Sequence, residues 1–564
     1  MIFFDFEVFA YDWLVVLANA NTRAFQTIAN DAGRLQRFYE KNKDEIWIGY
    51  NSRGYDQYIL KAILLGFDPY EVSYFIIGQS RKGWEYSSAF ESIPLNVFDV
   101  MTTPHGLKQL EGFMGSDIRE SEVSFKTNRK LTAAELRDVE AYCRHDVEQT
   151  MEVFMNRIDE FESHLSLLNT FSLPIKFIHK TKPQLAAIIL GARRSSYRDE
   201  FDITLPETLR LEQYRHIADW YRDPANRNYN SSLKTEVAGV PHIFAWGGLH
   251  GALGSYWGEG QFLSIDVASY YPALMIEYGY LSRSVADPEK YRQIRDERIR
   301  LKKEKSPIQQ PYKIVLNSTY GAMKDKYNAL YDPRQANNVC VGGQLLLLDL
   351  IEKLAPYGKL IQSNTDGIIL KTEERLLDEI QAICREWEQR TRMTLETERF
   401  VRIFQKDVNN YLILREDKTY KAKGAYVKKL DVLDNDLPIV NQALVQYFVC
   451  GAPLAQTIRG SKNLMDFQKI VKVSKKYLFA AHGDKVLNER ILRVFASRSK
   501  HDHGVFKYKS LERIEKIANT PSRCFIENNN VNGKSLPAKL DVEWYVDVAQ
   551  KRLNDFLHGG DGTV

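Results

Sequence analysis

Phe262-Leu-Ser-Ile-Asp266-Val-Ala-Ser269-Tyr270-Tyr271-Pro272 places an acid at the end of an apolar strand, and Ser-Tyr-Tyr-Pro then turns the chain toward a helix. Alone, this is an ordinary strand-ending aspartate. The downstream segments give it weight. A basic helix comes next, with Asp287 as its cap and Pro288 in its first turn; it runs to about residue 305 and stops near Pro307. Over 290–305 it carries eight Lys/Arg against three acids, and a solvated face is the usual meaning of such a charge run. A second helix over 311–321 contains Lys313-Ile-Val-Leu-Asn317-Ser318-Thr-Tyr320-Gly321, whose positions 313, 317 and 320 share one face. That face can be a solvated stripe, or it can contact a triphosphate and a base. After a long apolar helix over 339–354, residues 360–370 read as a hairpin tipped by Ser363-Asn364-Thr365-Asp366-Gly367.

Upstream of the strand, a mixed region over 166–255 runs into the glycine-dense AWGGLHGALGSYWGEG, which reads as a hinge. The start of the chain alternates strands at 1–7 and 13–18, helical spacing at 31–39 and a strand at 46–50, which predicts an α/β domain with a mixed sheet. A helical block from Thr132 to about 168 opens on a capping box with Glu135. Asp5 and Glu7 lie two apart on the first strand, so both face one side. Their apolar neighbours imply burial, where an unpaired carboxylate costs roughly several kcal/mol and a divalent metal relieves the cost. Asp56, in Asn51-Ser-Arg-Gly-Tyr-Asp56, and Asp146, in Tyr142-Cys-Arg-His-Asp146, are further acids. Taken singly, these four suit a surface acid pair and two helix caps, and His145 suits a solvated helix position as well as a base.

The chain has 564 residues, 44% hydrophobic and 27% charged. At roughly 150 residues per domain this predicts three or four domains with a soluble globular balance, excluding disordered, collagen-like and disulfide-stapled classes. Cys143, Cys340, Cys384, Cys450 and Cys524 form no CxxC pair, which argues against structural zinc and predicts a reducing, cytoplasmic setting. The opening MIFFDFEVFAYDW lacks the basic start of a signal peptide, and no run approaches the eighteen apolar residues of a membrane span. The net charge of +4 hints at a polyanionic partner, and its location matters more than its size.

In this order, DxE on the first strand, Nx3YD and Yx3D resemble the three exonuclease motifs of proofreading domains in DNA polymerases. The resemblance implies a ribonuclease-H-like fold in which Asp5, Glu7, Asp56 and Asp146 hold two metals and Tyr142 helps orient the attacking water. Hard oxygen ligands imply Mg²⁺ or Mn²⁺, and two such ions about 4 Å apart activate water and stabilise the leaving oxygen. Arg119 and Lys126 are candidates for the scissile phosphate.

The strand, helix and hairpin of the second half resemble motifs A, B and C of family B DNA polymerases, whose patterns are DxxSLYPS, KxxxNSxYG and a YxDTDS hairpin. The polymerase pattern RxxxKxxxFGxxYG fits less well, since no such helix is present. The likeness to small phage-type members extends over most of 1–430. It implies Asp266 and Asp366 as palm metal ligands and Tyr271 as the sugar-sensing tyrosine. It also implies Lys313, Asn317, Arg298 and Lys302 at the triphosphate and Tyr320 at the nascent pair. Two metals, Mg²⁺ or Mn²⁺, are implied at each site. Asn364 departs from the pattern, standing where the first acid of motif C usually is.

The implied organisation is an exonuclease domain over 1–165, a connecting region over 166–255, a palm over 256–430 with fingers at about 285–330, and a thumb over 431–564. The last 130 or so residues read as helical with basic loops. Lys406 and Lys423 resemble residues that hold the primer end, and the basic-aromatic stretch over 498–509, with Arg498, Lys500 and Lys507, suits a duplex backbone. Residues 442–449 faintly resemble a sliding-clamp peptide and fit a buried helix better. The expected function is template-directed DNA synthesis with 3′→5′ proofreading, copying phage or mobile-element DNA. The expected partners are primer-template DNA, dNTPs and accessory processivity or replisome proteins, for a monomer off the membrane. The alternatives are a nuclease whose polymerase half only grips DNA and a polymerase-derived binding protein. Protein-primed members carry insertions between motifs A and B and between B and C; here those intervals are 317 − 266 = 51 and 366 − 317 = 49 positions, so a nucleic-acid primer is expected.

Overall fold

The opening alternation of apolar strands and helical spacing folds into one mixed sheet. In the computed structural model, which describes residues 1–102, 104–424 and 426–558, β1 (Ile2–Val8), β2 (Trp13–Asn19), β3 (Phe25–Ala29), β4 (Ile46–Gly49) and β5 (Asn96–Asp99) run in the order β3-β2-β1-β4-β5. β1 pairs antiparallel with β2 and parallel with β4. The helix Ala32–Asn42 starts at Asp31, whose side chain accepts from Arg34 N–H, and the helix Ala133–Asn156 starts at the expected Thr132–Glu135 capping box. Phe4, Val15, Leu35, Trp47, Ile59 and Val97 form the core beneath the sheet.

The chain divides into two compact units. Unit 1 comprises Met1–Lys180, Leu430–Ile439 and Gly460–Tyr545, and unit 2 comprises Thr181–Lys429, Val440–Arg459 and the chain from Val546. Unit 2 is built on a nine-stranded sheet of β6 (Ser232–Val237), β7 (Val240–Ala245), β8 (Gly248–Ala252), β9 (Tyr256–Val267), β10 (Lys359–Asn364), β11 (Gly367–Thr372), β12 (Leu395–Asp407), β13 (Asn410–Leu414) and β14 (Tyr420–Lys423). The helix Glu289–Lys303, the helix Gln309–Lys324 and the largely buried helix Pro333–Leu354 occupy the spans between β9 and β10.

Two expectations change here. The glycine-dense 245–260 segment is sheet rather than hinge, since β8 and much of β9 fall in it. Gly251 is there because the His242 ring lies over it; a Cβ would meet that ring at 2.3 Å. The carboxy-terminal stretch is neither mostly helical nor one domain. Unit 1 takes from it β15 (Lys469–Lys472), β16 (Phe479–His482), β17 (Lys485–Leu487), β18 (Ile491–Ala496), β19 (Val505–Tyr508), β20 (Ile514–Lys516) and β21 (Cys524–Ile526), in two antiparallel sheets. These strands are three to six residues long, too short for their period of two to stand out against interspersed lysines.

Within unit 1, Arg493 joins this segment to the first. It is fully buried on β18 and donates to the carbonyls of Gly112 (3.2 Å), Ser116 (2.7 Å) and Asn529 (2.8 Å). Burial pushes its guanidinium down to about 10, so six hydrogen-bonding sites on carbonyls and Gln468 are what hold it there. Residues 442–449 lie in the helix Pro438–Cys450, with Ala443, Leu444 and Phe448 buried, which suits packing rather than a free peptide. Among the described residues no helix is long and apolar enough to cross a membrane.

Two candidate carboxylate sites

Unit 1 gathers its four acids from three elements. β1 carries Asp5 and Glu7 toward the helix Ala133–Asn156, which supplies Tyr142, Cys143 and Asp146, and Asp56 opens the helix Asp56–Leu64. Carboxylate oxygens of Asp5 and Glu7 and the Cys143 sulfur lie within 4.8 Å of one another. Asp56 accepts from Phe6 N–H at 3.1 Å, and the Cys143 thiol donates to the Asp5 carbonyl at 3.3 Å. Burial pushes Asp5 and Glu7 well above the carboxylate range, and neighbouring acids add to it: Asp56 and Asp146 for Asp5, Asp5 and Asp146 for Glu7. Burial pushes Asp56 up to about 7. Burial also raises Asp146, against the pull of Lys108.

Lys108 was not singled out from sequence. It sits on the helix Leu107–Met114, where its amine bonds Asp146, reaches Glu111 at 3.1 Å and lies 4.6 Å above the Tyr142 ring. Arg119 is instead exposed and pairs with Asp117 at 3.4 Å, and Lys126 is exposed. His145 is buried, with Nε2 3.2 Å from the Asp117 carbonyl and 3.5 Å from Glu111, so it is not a solvated helix histidine. Asp99, also unforeseen, is a structural acid: it accepts from the N–H groups of Asn51, Arg53 and Met101 and so holds the loop that leads to Asp56.

Glu7, Asp56 and Asp146, with the half-buried Asp5, face one lysine that bonds only Asp146 and Glu111, which leaves an excess of negative charge that hard divalent cations would neutralise. The donor set fits such ions. Cys143 does not alter that, since burial and then the Asp5 charge keep its thiol protonated. Because these acids hold protons in the folded state that the unfolded chain has lost, their own contribution to stability without metal is greatest below about pH 4 and falls as pH rises toward 7. Asp5→Asn with Glu7→Gln is therefore expected to stabilise the fold in chelator at pH 8 by about 2 kcal/mol, and Mg²⁺ or Mn²⁺ is expected to raise the melting temperature of the wild type but not of this variant. Thermal unfolding with and without chelator checks both. Equal melting in all conditions would remove the electrostatic argument.

Unit 2 builds its site at the centre of the long sheet. Asp266 near the end of β9 is the cross-strand partner of Gly367 on β11, and Val267 N–H donates to the Asp366 carbonyl at 2.8 Å. The pairing thus sets Asp266 beside the exposed Asp366 in the β10–β11 turn. Gly367 has to be glycine, because a Cβ there would meet the Asp266 carboxylate at 2.0 Å. Burial raises Asp266, and the charge of Lys421 on β14 counters it. Ser264 donates to Asp266 at 3.0 Å.

A cavity of about 430 Å³ opens beside these acids and is lined by Tyr271, Arg298, Lys302, Lys313, Asn317 and Asp366. Arg298 and Lys302 of the basic helix, Lys313 and Asn317 of the second helix and Asp366 of the hairpin therefore share one space, whereas Asp266 and Tyr320 do not line it. Arg298 donates to Ser269 Oγ at 2.8 Å, and Lys302 lies 3.5 Å from Glu396. Glu396, the cross-strand partner of Asp266 on β12, also lines the cavity and was not foreseen. The Tyr271 and Tyr320 rings meet with centroids 4.2 Å apart.

The basic residues downstream are placed differently from one another. Lys406 lies 4.7 Å above the Tyr426 ring, and Lys423 pairs across strands with Tyr411. It is Lys421, two residues before Lys423, whose charge acts on Asp266. Of the 498–509 residues, Arg498 donates to the Ala538 carbonyl at 2.7 Å, Lys500 is exposed, and Lys507 is turned to the Tyr477 ring and to Glu515 at 3.4 Å.

The sequence matches no protein-family model and no curated protein. Among solved structures, the chain is similar to that of the family B DNA polymerase from the hyperthermophilic archaeon Pyrobaculum calidifontis, at 12% identity and a TM-score of 0.43, over 98% of this chain and 77% of that one. The reading of the two sites therefore rests on the chain's own residues.

Proposed function

We propose that the protein is a template-directed DNA polymerase that also removes nucleotides from 3′ ends. The observation that carries this reading is the unit 2 cavity, in which Asp366, set by the β9–β11 pairing beside Asp266, meets two lysines, an arginine and an asparagine from two helices. A nucleoside triphosphate has the matching parts. Arg298, Lys302 and Lys313 bind its phosphates by charge and hydrogen bonds, Asn317 adds an amide, and Tyr271, braced by Tyr320, walls the sugar and base. Asp266 and Asp366 offer hard oxygen ligands, and divalent ions held there would supply charge neutralisation as the primer 3′-hydroxyl bonds to the α-phosphate and pyrophosphate leaves. Positioning and preorganised charge then account for most of the catalysis.

In unit 1, Asp5, Glu7, Asp56 and Asp146 are the proposed ligands of a second pair of ions, which would supply phosphodiester hydrolysis. Lys108 holds Asp146 and packs on Tyr142, so it keeps both side chains aimed at a strand end. Primer extension with dNTPs and Mg²⁺ tests the proposal. No extension, with 3′ ends still degraded, would leave a nuclease whose second unit only grips DNA.

The spans between the proposed motifs support a nucleic-acid primer. Between Asp266 and Asn317 the chain is used up by three helices, and between Asn317 and Asp366 by the helix Pro333–Leu354 and β10. No encircling insertion is present among the described residues, so the grip on DNA rests on screened phosphate contacts. Single-encounter product length is expected to shorten steeply with salt, as measured with a DNA trap over a salt series. Products of many kilobases at about 150 mM salt with no added partner would contradict this.

A further inference from the structure

The second sheet of unit 1's carboxy-terminal segment carries a surface that neither carboxylate site uses. Its order is β17-β16-β19-β20, and its register sets Phe479 opposite Tyr508 and Tyr508 opposite Ile514. Ala481 lies opposite both Val486 and Phe506, and Phe506 lies opposite Lys516. Cross-strand partners share a face, and residues two apart along a strand share it too. The three rings, Phe479, Phe506 and Tyr508, therefore stand on one side of the sheet. The other side gives Ala480, Leu487 and Val505 to the core.

This aromatic side is open. Val486 and Ile514 at its edges are 54% and 51% exposed, and the rings between them are half-buried. Phe479 and Tyr508 stack with centroids 4.6 Å apart and planes 23° apart, so each ring covers one face of the other and the pair forms a short aromatic stack. Leaving apolar area in water costs roughly 25 cal/mol per Å², so an open face of three rings marks a contact surface.

Charge selects the occupant. Residues 472–516 hold twelve Lys/Arg and five Asp/Glu, a net +7, while the whole chain carries +4, so the rest of the chain sums to 4 − 7 = −3. Lys475, Lys476, Lys485 and Lys509 are exposed and make no ion pair among the described residues, and Lys516 stands on the aromatic face itself. Flat rings bordered by free lysines match an alternation of bases and phosphates, whereas a purely apolar protein partner would leave the lysines unmatched. Paired bases inside a duplex cannot reach a flat sheet; unpaired ones can.

We propose that this face binds single-stranded nucleic acid, with bases stacked on Phe479, Phe506 and Tyr508 and the backbone met by Lys516 and the flanking lysines. About two or three bases fit on three rings. Recognition is indifferent to sequence, because every base offers a ring face. The site needs neither metal nor nucleotide, so it stands or falls independently of the polymerase reading.

The test is binding of a labelled 12-mer oligothymidylate to the full chain in chelator, by fluorescence anisotropy, beside a blunt duplex. Phe506→Ser with Tyr508→Ser is expected to weaken oligothymidylate binding by about tenfold or more and to leave duplex binding unchanged. Lys509→Ala with Lys516→Ala is expected to weaken binding and reduce its salt dependence. Ultraviolet cross-linking of oligothymidylate to the wild-type chain, mapped by peptide mass, decides the matter even where the ring variant loses its fold: adducts are expected on peptides containing Phe479 or residues 505–508. Adducts confined to other segments, no adducts at all, or equal weakening of single strand and duplex would overturn the proposal.

Discussion

On the proposed function, Asp266→Ala and Asp366→Ala are each expected to lower nucleotide addition by about a thousandfold or more and to leave degradation of single-stranded 3′ ends at the wild-type rate. Asp5→Ala with Glu7→Ala is expected to do the reverse. The reason lies in how the acids are distributed. Asp5, Glu7, Asp56 and Asp146 belong to unit 1, Asp266 and Asp366 belong to unit 2, and the two sets share no strand, helix or hydrogen-bond partner among the described residues. Extension and degradation of the same labelled primer, followed on gels, measure both activities at once. Loss of both from either change, in a protein with unchanged melting, would refute two separate centres.

Tyr271→Val is expected to raise ribonucleotide incorporation relative to deoxyribonucleotide by about a hundredfold, or roughly 3 kcal/mol. Tyr271 comes just after the strand that carries Asp266 and lines the cavity. Its ring is fixed against Tyr320, and burial pushes its hydroxyl well above the usual range, as expected of a ring in a confined place. On the proposed reading, a sugar held over such a ring would have no space for a 2′-hydroxyl, and valine would open that space. Competition between labelled ATP and dATP on one template gives the ratio. An unchanged ratio would take Tyr271 out of this role and leave the acids' assignment standing.

Much of this was legible in the amino-acid sequence because it is local. A period of two puts Asp5 and Glu7 on one side of β1, two turns of helix bring Lys313 and Tyr320 to one face, and a short turn sets Asp366 at a hairpin tip. The Thr132 capping box and the Asp287–Pro288 helix start were readable for the same reason. Tertiary structure alone decided which charges meet them. Lys108 reaches Asp146 across 38 positions, Glu396 comes to Asp266 only through the pairing of β12 with β9, and Lys421 rather than Lys423 acts on that acid. The carboxy-terminal segment was misread because its strands are short and rich in lysine, so neither period dominates. Their aromatic face exists only once β16, β19 and β20 are in register, and their attachment to the first domain depends on a buried Arg493 satisfied by carbonyls some 380 positions away. Side-chain periodicity is a property of neighbouring residues; burial of a charge, and the partner that makes it tolerable, is a property of the packed chain.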